Sequence, residues 1–173
     1  MRDRDSVTDV KITSQYFKDT LEILQEMPAV SNGTDLSKIH FDLLTMENHK
    51  HRGASIDVEQ FDAWKSIIHR RSADWPGSES DLITKATIFV GLVEDRAAAR
   101  KACITASNAV GQVPALTQVG DEICIFAGLR APFVLRPHAE RENCYSLIGE
   151  CYIRGAMHRG FRDSDSVQDI RLA

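Results

Sequence analysis

The chain has 173 residues, 43% of them apolar and 27% charged, with a formal net charge of -4. That mixture belongs to a globular domain and excludes a disordered, collagen-like or disulfide-stapled chain, while the mild acidity excludes a global field for nucleic acid or an anionic membrane. No run approaches the roughly 18 apolar residues that span a bilayer. Met1 to Asp5 lead into polar sequence rather than the apolar core of a signal peptide, so the expected location is cytoplasmic.

The first hundred residues carry helical spacing. From Ser14 to Met27, Phe17, Leu21 and Leu24 fall on one face with a 3.6-residue period. Pro28 and Asn32-Gly33 stop that helix. Thr34 or Asp35 can cap a second, striped by Leu36, Ile39, Leu43 and Met46. Glu47 to Ser55, reading ENHKHRGAS, is a polar loop. Ser55 or Asp57 can cap a third helix, with Phe61, Trp64, Ile67 and Ile68 on its buried side. Asp74 to Ser78 is a further loop, and Ser78 and Asp81 have capping-box spacing. The helix that follows buries Leu82, Ala86, Phe89 and Val93 and extends toward Ala99.

After Arg100 the period changes. Ala102 to Thr105 is a short extended piece, punctuated by Gly111 and Pro114. Gly120-Asp121 is a turn. Glu122 to Ala127 is a dense apolar run suited to a buried strand, ended by Gly128. Pro132 to Arg136 forms the next strand, stopped by Pro137, and Cys144 to Ile153 the third. There Tyr145, Leu147, Cys151 and Ile153 share one face, and Ser146, Ile148, Glu150 and Tyr152 the other. Gly149 interrupts this strand as a bulge or a close backbone crossing. Gly120, Gly128, Gly149 and Gly155 are the expected structural glycines.

Helices followed by strands give the α+β class. The expected layout is a helical lobe of about four helices over 1–99, packed on a small antiparallel sheet or SH3-like barrel over 100–158. A loose polar tail covers 159–173.

Three blocks carry a family resemblance. Gly120 to Gly128 reads GDEICIFAG, Ala131 to Pro137 reads APFVLRP, and Tyr145 to Met157 reads YSLIGECYIRGAM. In this order and spacing they resemble the C-terminal region of fungal heterokaryon incompatibility (HET) proteins. The corresponding family blocks are GDx(I/V)C(I/V), P(F/Y)VLRP and YxL(I/V)GE(C/A)Y(I/V)xGxM. Arg100, Thr105, Gly111 and Pro114 extend the resemblance upstream. The chain departs from the family at Arg154, where histidine is usual, and at His158-Arg159-Gly160, where the family often has an acidic DGE. It also has Val113 where a second glycine is common. The resemblance implies an accessory or interaction module that serves protein recognition or regulation in self/non-self discrimination. No βα-alternating HET domain is found in this sequence. The chain is therefore expected to be the back end of such a protein, and the family's death-inducing activity does not carry over.

Catalytic constellations are sparse. Asp121 suits a turn for backbone reasons. Glu150 lies in an apolar strand and, if inward, needs a cation; Arg136 is the first candidate and Arg154 the second. Such a group is either a structural ion pair or a contact for a ligand or partner. A rival reading is a small hydrolase or transferase using Glu150 or Asp121 with a histidine, which requires a pocket where they converge. A third is a ligand-binding β module. His49, His51 and the nearby His40 lack the cysteines or carboxylates of a metal site, and no phosphate loop is present. The four cysteines, Cys103, Cys124, Cys144 and Cys151, have no CxxC spacing and read as buried free thiols. No cofactor and no metal are expected, and the partner is an unidentified protein rather than nucleic acid or membrane. Trp75, beside Pro76, plugs a seam between the halves or contacts a partner.

Overall fold

The computed structural model describes residues 20, 22, 35–47, 50–51, 54–69, 72–97, 99–156 and 167–173, with the backbone alone at 50, 51, 54, 55 and 95. The chain divides into two compact units, Met1–Ala98 and Ala99–Ala173. The class is α+β. Among the described residues no helix is long and apolar enough to cross a membrane.

In the first unit, caps decide where helices begin. The helix expected over Ser14 to Met27 lies outside the described residues except at Thr20 and Glu22, both helical. Helix α1 spans Leu36–Thr45, with Asp35 as N-cap. The Asp35 Oδ1 accepts from the amides of Ser37 at 3.0 Å and Lys38 at 3.3 Å. Its burial is broader than the expected stripe, because every residue from Ile39 to Thr45 is buried. The loop expected over Glu47 to Ser55 contains a hairpin instead. Strand β1, Lys50–His51, pairs antiparallel with β2, Ala54–Ser55, across a two-residue connection, the shortest a hairpin commonly uses.

Helix α2, Val58–Ile68, starts at a reciprocal capping box between Asp57 and Gln60. A 3-10 turn, Ser72–Asp74, precedes helix α3, Glu79–Ala97. Ser78 Oγ accepts from the Asp81 amide at 3.1 Å. The Asp81 carboxylate turns elsewhere, accepting from Trp75 Nε1 at 3.2 Å and Lys85 Nζ at 3.0 Å. Trp75 therefore belongs to the helical unit's own packing, not to a seam or an exposed contact. The core beside it is aromatic: Phe89 lies 5.0 Å from Trp64 and 5.4 Å from Phe61, centroid to centroid. Leu82, Ala86 and Val93 join it from α3.

The second unit is built of two sheets. Strand β3, Arg100–Ile104, pairs antiparallel with β4, Val110–Pro114. Gly111 and Pro114 thus lie inside a strand and do not punctuate it. Strands β5 (Glu122–Cys124), β6 (Phe133–Pro137), β7 (Cys144–Glu150), β8 (Tyr152–Ile153) and β9 (Arg171–Leu172) complete the set. The sheet orders are β3-β4-β8 and β5-β6-β7-β9.

One continuous run serves both sheets. The run pairs with β6 through β7, passes Cys151, whose amide donates to Pro132 O at 2.9 Å, and pairs with β4 through β8. Val113, Val134, Cys151 and Ile153 form the buried cluster, with Cys103 and Ile148 against it. Among the described residues these sheets do not close into a barrel.

Two expectations fail here. The apolar run from Glu122 forms a strand of three residues, exposed at Glu122 and Ile123, because it is an edge with β6 as its partner on one side. The tail is not loose throughout: β9 adds to β7 in parallel, held by Arg171 N–H to Asn143 O at 2.8 Å and Ala173 N–H to Tyr145 O at 2.9 Å. Backbone pairing needs no apolar side chain, so a polar segment can form an edge strand.

Candidate functional site

The densest polar arrangement in the second unit holds the loop between β4 and β5. Asp121 precedes β5, and the register that pairs Glu122 with Leu135 brings it beside Arg136 on β6. Arg136 Nε donates to Asp121 Oδ1 at 2.8 Å and Nη2 to Oδ2 at 2.9 Å, a bidentate, charge-assisted pair. The Asp121 side chain is only 3% exposed. Its Oδ2 also accepts from the Gln118 amide at 2.8 Å. Arg136 Nη2 reaches Leu116 O at 2.8 Å, and Lys101 Nζ from β3 donates to Thr117 O. The amides of Thr117 and Asp121 close turns onto Pro114 O and Gln118 O at 3.0 and 3.1 Å. Two cations and one carboxylate thereby fix a six-residue loop by its backbone.

What this loop presents is apolar. Leu116 is 75% exposed and Val119 fully so. The hydrogen bonds from Arg136, foremost, and from the Gln118 amide hold the Asp121 carboxyl below its ordinary range, against the opposing effect of burial. Asp121 in turn raises the Arg136 pKa. A carboxylate held ionised with both oxygens engaged is a structural anchor and not a poised general acid.

The remaining candidates lie apart from this clamp. Glu150 faces Phe133 in the register, three residues along β6 from Arg136, and its side chain is exposed. The Glu150–Arg136 pairing expected from sequence is therefore replaced by Asp121–Arg136. The Glu150 carbonyl accepts from Arg100 Nη1 at 3.1 Å. Arg154 is half-buried, and its amide donates to Val110 O at 2.9 Å. Thr105 closes the β3–β4 turn, its Oγ1 accepting from the Ala109 amide at 3.0 Å.

Gly120, Gly128, Gly149 and Gly155 all have positive φ. At Gly149 both sequence readings meet. The register slips between Val134 and Leu135, so Ile148 is a bulged extra residue, and a Cβ on Gly149 would stand 3.0 Å from Pro114 Cγ.

The histidines do not gather. His49 and His158 lie outside the described residues. His40 is not in a loop but buried in α1, edge-on to Phe61 at 5.7 Å, and its pKa is lowered to about 3 by burial and then by Lys65 and His69. His69 caps α2, and His138 Nε2 contacts Ser146 Oγ at 3.1 Å. Among the described residues no group of three His, Cys, Asp or Glu could hold a metal ion. A cleft of about 430 Å³ between α1 and α2 is lined by Asp35, Asp42 and Asp62 over Phe41 and Phe61, and contains neither Glu150 nor Asp121. All four cysteines are free, Cys144 and Cys151 buried, Cys103 and Cys124 half-buried.

Comparison with known proteins agrees with the blocks that form this sheet. The family model of the Het-6 beta-barrel domain matches residues 5–172. The chain belongs to that family. Heterokaryon incompatibility protein 6, OR allele, of Neurospora crassa is 29% identical over 122 residues, covering 66% of this chain and 18% of that protein. The chain thus spans under a fifth of the length of this curated relative. No solved structure matches.

Within the family's blocks, Asp121 of GDEICIF and Arg136 of FVLRP are the two ends of the clamp. Sequence reasoning singled out both but not their pairing, and it missed Lys101, Leu116 and Val119. The available signal was Leu116 and Val119 themselves, isolated apolar residues in a turn-rich segment between Pro114 and Gly120.

Proposed function

We propose that the chain is a protein-recognition module of a heterokaryon incompatibility protein, serving self/non-self discrimination without chemistry of its own. One observation carries this reading: Asp121, Arg136 and Lys101 rigidify a loop whose outward side chains are Leu116 and Val119. Apolar side chains displayed on a backbone held this firmly lose little entropy on binding, which favours recognition over solvation. Family membership supplies the process, and the name of the Neurospora relative points to the same one.

The test is a chimera in which this chain replaces the matching segment of the Neurospora protein, scored for heterokaryon incompatibility. The unaltered chain is expected to support the reaction. The double change Leu116→Asp with Val119→Asp should abolish it while leaving the thermal midpoint of the isolated chain unmoved. Incompatibility that survives the double change would refute the reading, and a chimera inert with the unaltered chain would count against it too.

A further inference from the structure

Strand β5 combines a buried strand's composition with an edge strand's position. Its surroundings read Asp121-Glu122-Ile123-Cys124-Ile125-Phe126, yet among the described residues it pairs with β6 alone, and Ile123 is 40% exposed. An open apolar edge is a template for another strand, and natural sheets blunt such edges with lysine, proline or cover. The other edges here are blunted: β3 carries Arg100 and Lys101, and the far side of β7 is occupied by β9. The β5 edge has neither protection.

We infer that β5 is the contact between two copies of this chain, paired antiparallel about a two-fold axis at Ile123. The charge pattern selects this arrangement. With Ile123 opposite Ile123, Glu122 of one copy faces Cys124 of the second, and Asp121 faces Ile125. No carboxylate meets another across the ladder, where like charges are destabilising. Parallel in-register pairing would instead align Glu122 with Glu122.

The same axis explains three exposed apolar residues. Leu116 and Val119 lie at the N-terminal end of β5, and Leu129 lies beyond its C-terminal end, with exposures of 75%, 108% and 51%. Antiparallel pairing sends the first two of one copy toward the Gly128-Leu129 turn of the other, and an isologous contact uses each such pair twice.

The inference stands on the edge geometry and is independent of the recognition reading, because its test reads mass and not incompatibility. Sedimentation of the full chain over a wide concentration range should show mass rising from 19.3 kDa toward twice that value. Ile123→Lys sets ammonium against ammonium on the axis and should weaken association on the order of tenfold or more, with the circular dichroism of the monomer retained. Ile123→Cys should give a covalent dimer on mild oxidation, and Glu140→Cys, in an exposed turn, should not. A mass fixed at that of one chain, Ile123→Lys associating as tightly as the parent, or equal cross-linking at the two cysteines would each overturn the proposal. If the lysine variant fails to fold, the cysteine comparison decides.

Discussion

Gly111 tests the crossing of the two strands that bind the second unit's sheets together. It pairs with Ile153, and a Cβ built on it would collide with the Tyr152 carbonyl oxygen and stand 3.3 Å from Ile153 Cα. Both obstacles are backbone, so no rotamer relieves them, and Gly111→Ala must push β4 away from β8. That separation removes ladder hydrogen bonds, each contributing about 0.5–1.5 kcal/mol. It also partly unburies Tyr152 and Ile153, now 1% and 5% exposed, against about 1.5–3 kcal/mol for full burial of one such side chain. The reduced freedom of alanine in the unfolded chain offsets about 0.4–1 kcal/mol. The net loss is about 2–4 kcal/mol, and a small domain loses roughly 4–8 °C of melting temperature per kcal/mol.

Gly91→Ala provides the opposite sign. Gly91 lies exposed within α3 with nothing within 4 Å of its Cβ position, so alanine there should stabilise by about 0.5–1 kcal/mol. Hydrogen exchange localises the effect. Amides of Val110–Pro114 and Tyr152–Ile153 should lose protection in Gly111→Ala, while the fluorescence of Trp64 and Trp75, both in the first unit, should keep its folded value at temperatures below the transition. Unchanged melting together with unchanged exchange at these strands would refute the steric argument.

The clamp and the thiols give two further expectations. Asp121 has a folded pKa below its ordinary value of about 4, so its contribution is complete above that value and is lost as pH falls through the lowered one. Asp121→Asn should therefore be less stable at neutral pH and show a flatter acid limb in denaturant titrations; parallel profiles for the two proteins would contradict the clamp. Burial pushes the Cys103 thiol up to about 11 and Cys151 to about 12. Fewer thiolates mean slower alkylation, by about two orders of magnitude at mildly alkaline pH relative to the unfolded chain, and equal rates in the two states would show that these thiols are not shielded.

The helices were legible because their information is local. Asp35, Asp57 with Gln60, and Ser78 each cap within three residues of themselves, and Leu82, Ala86, Phe89 and Val93 repeat on one face of α3. The strands were legible in place but not in partnership. Glu122 to Ala127 has the composition of a buried strand, but whether a strand has one neighbour or two depends on segments distant in sequence. The hairpin at Lys50–His51 was missed because four polar residues paired through backbone alone leave no apolar pattern.

The clamp shows where local reading ends. Arg136 was matched with Glu150 because both lie on adjoining strands, and adjacency is all that sequence offers. Register then decides: Phe133 opposite Glu150 and Leu135 opposite Glu122 put Arg136 at the Asp121 end of the sheet. The bulge at Ile148 shifts the parity once more, so Leu147 is half exposed while Ile148 packs on the core cluster, the reverse of strict alternation. The blocks that carry the resemblance are therefore the places where register is fixed. GD and LRP hold the two ends of an ion pair, and IGE contains the bulge that lets one strand leave one sheet and enter the other. These residues account for the shape of the module, and the side chains that act on a partner are to be sought in the loop and edge that shape holds in place.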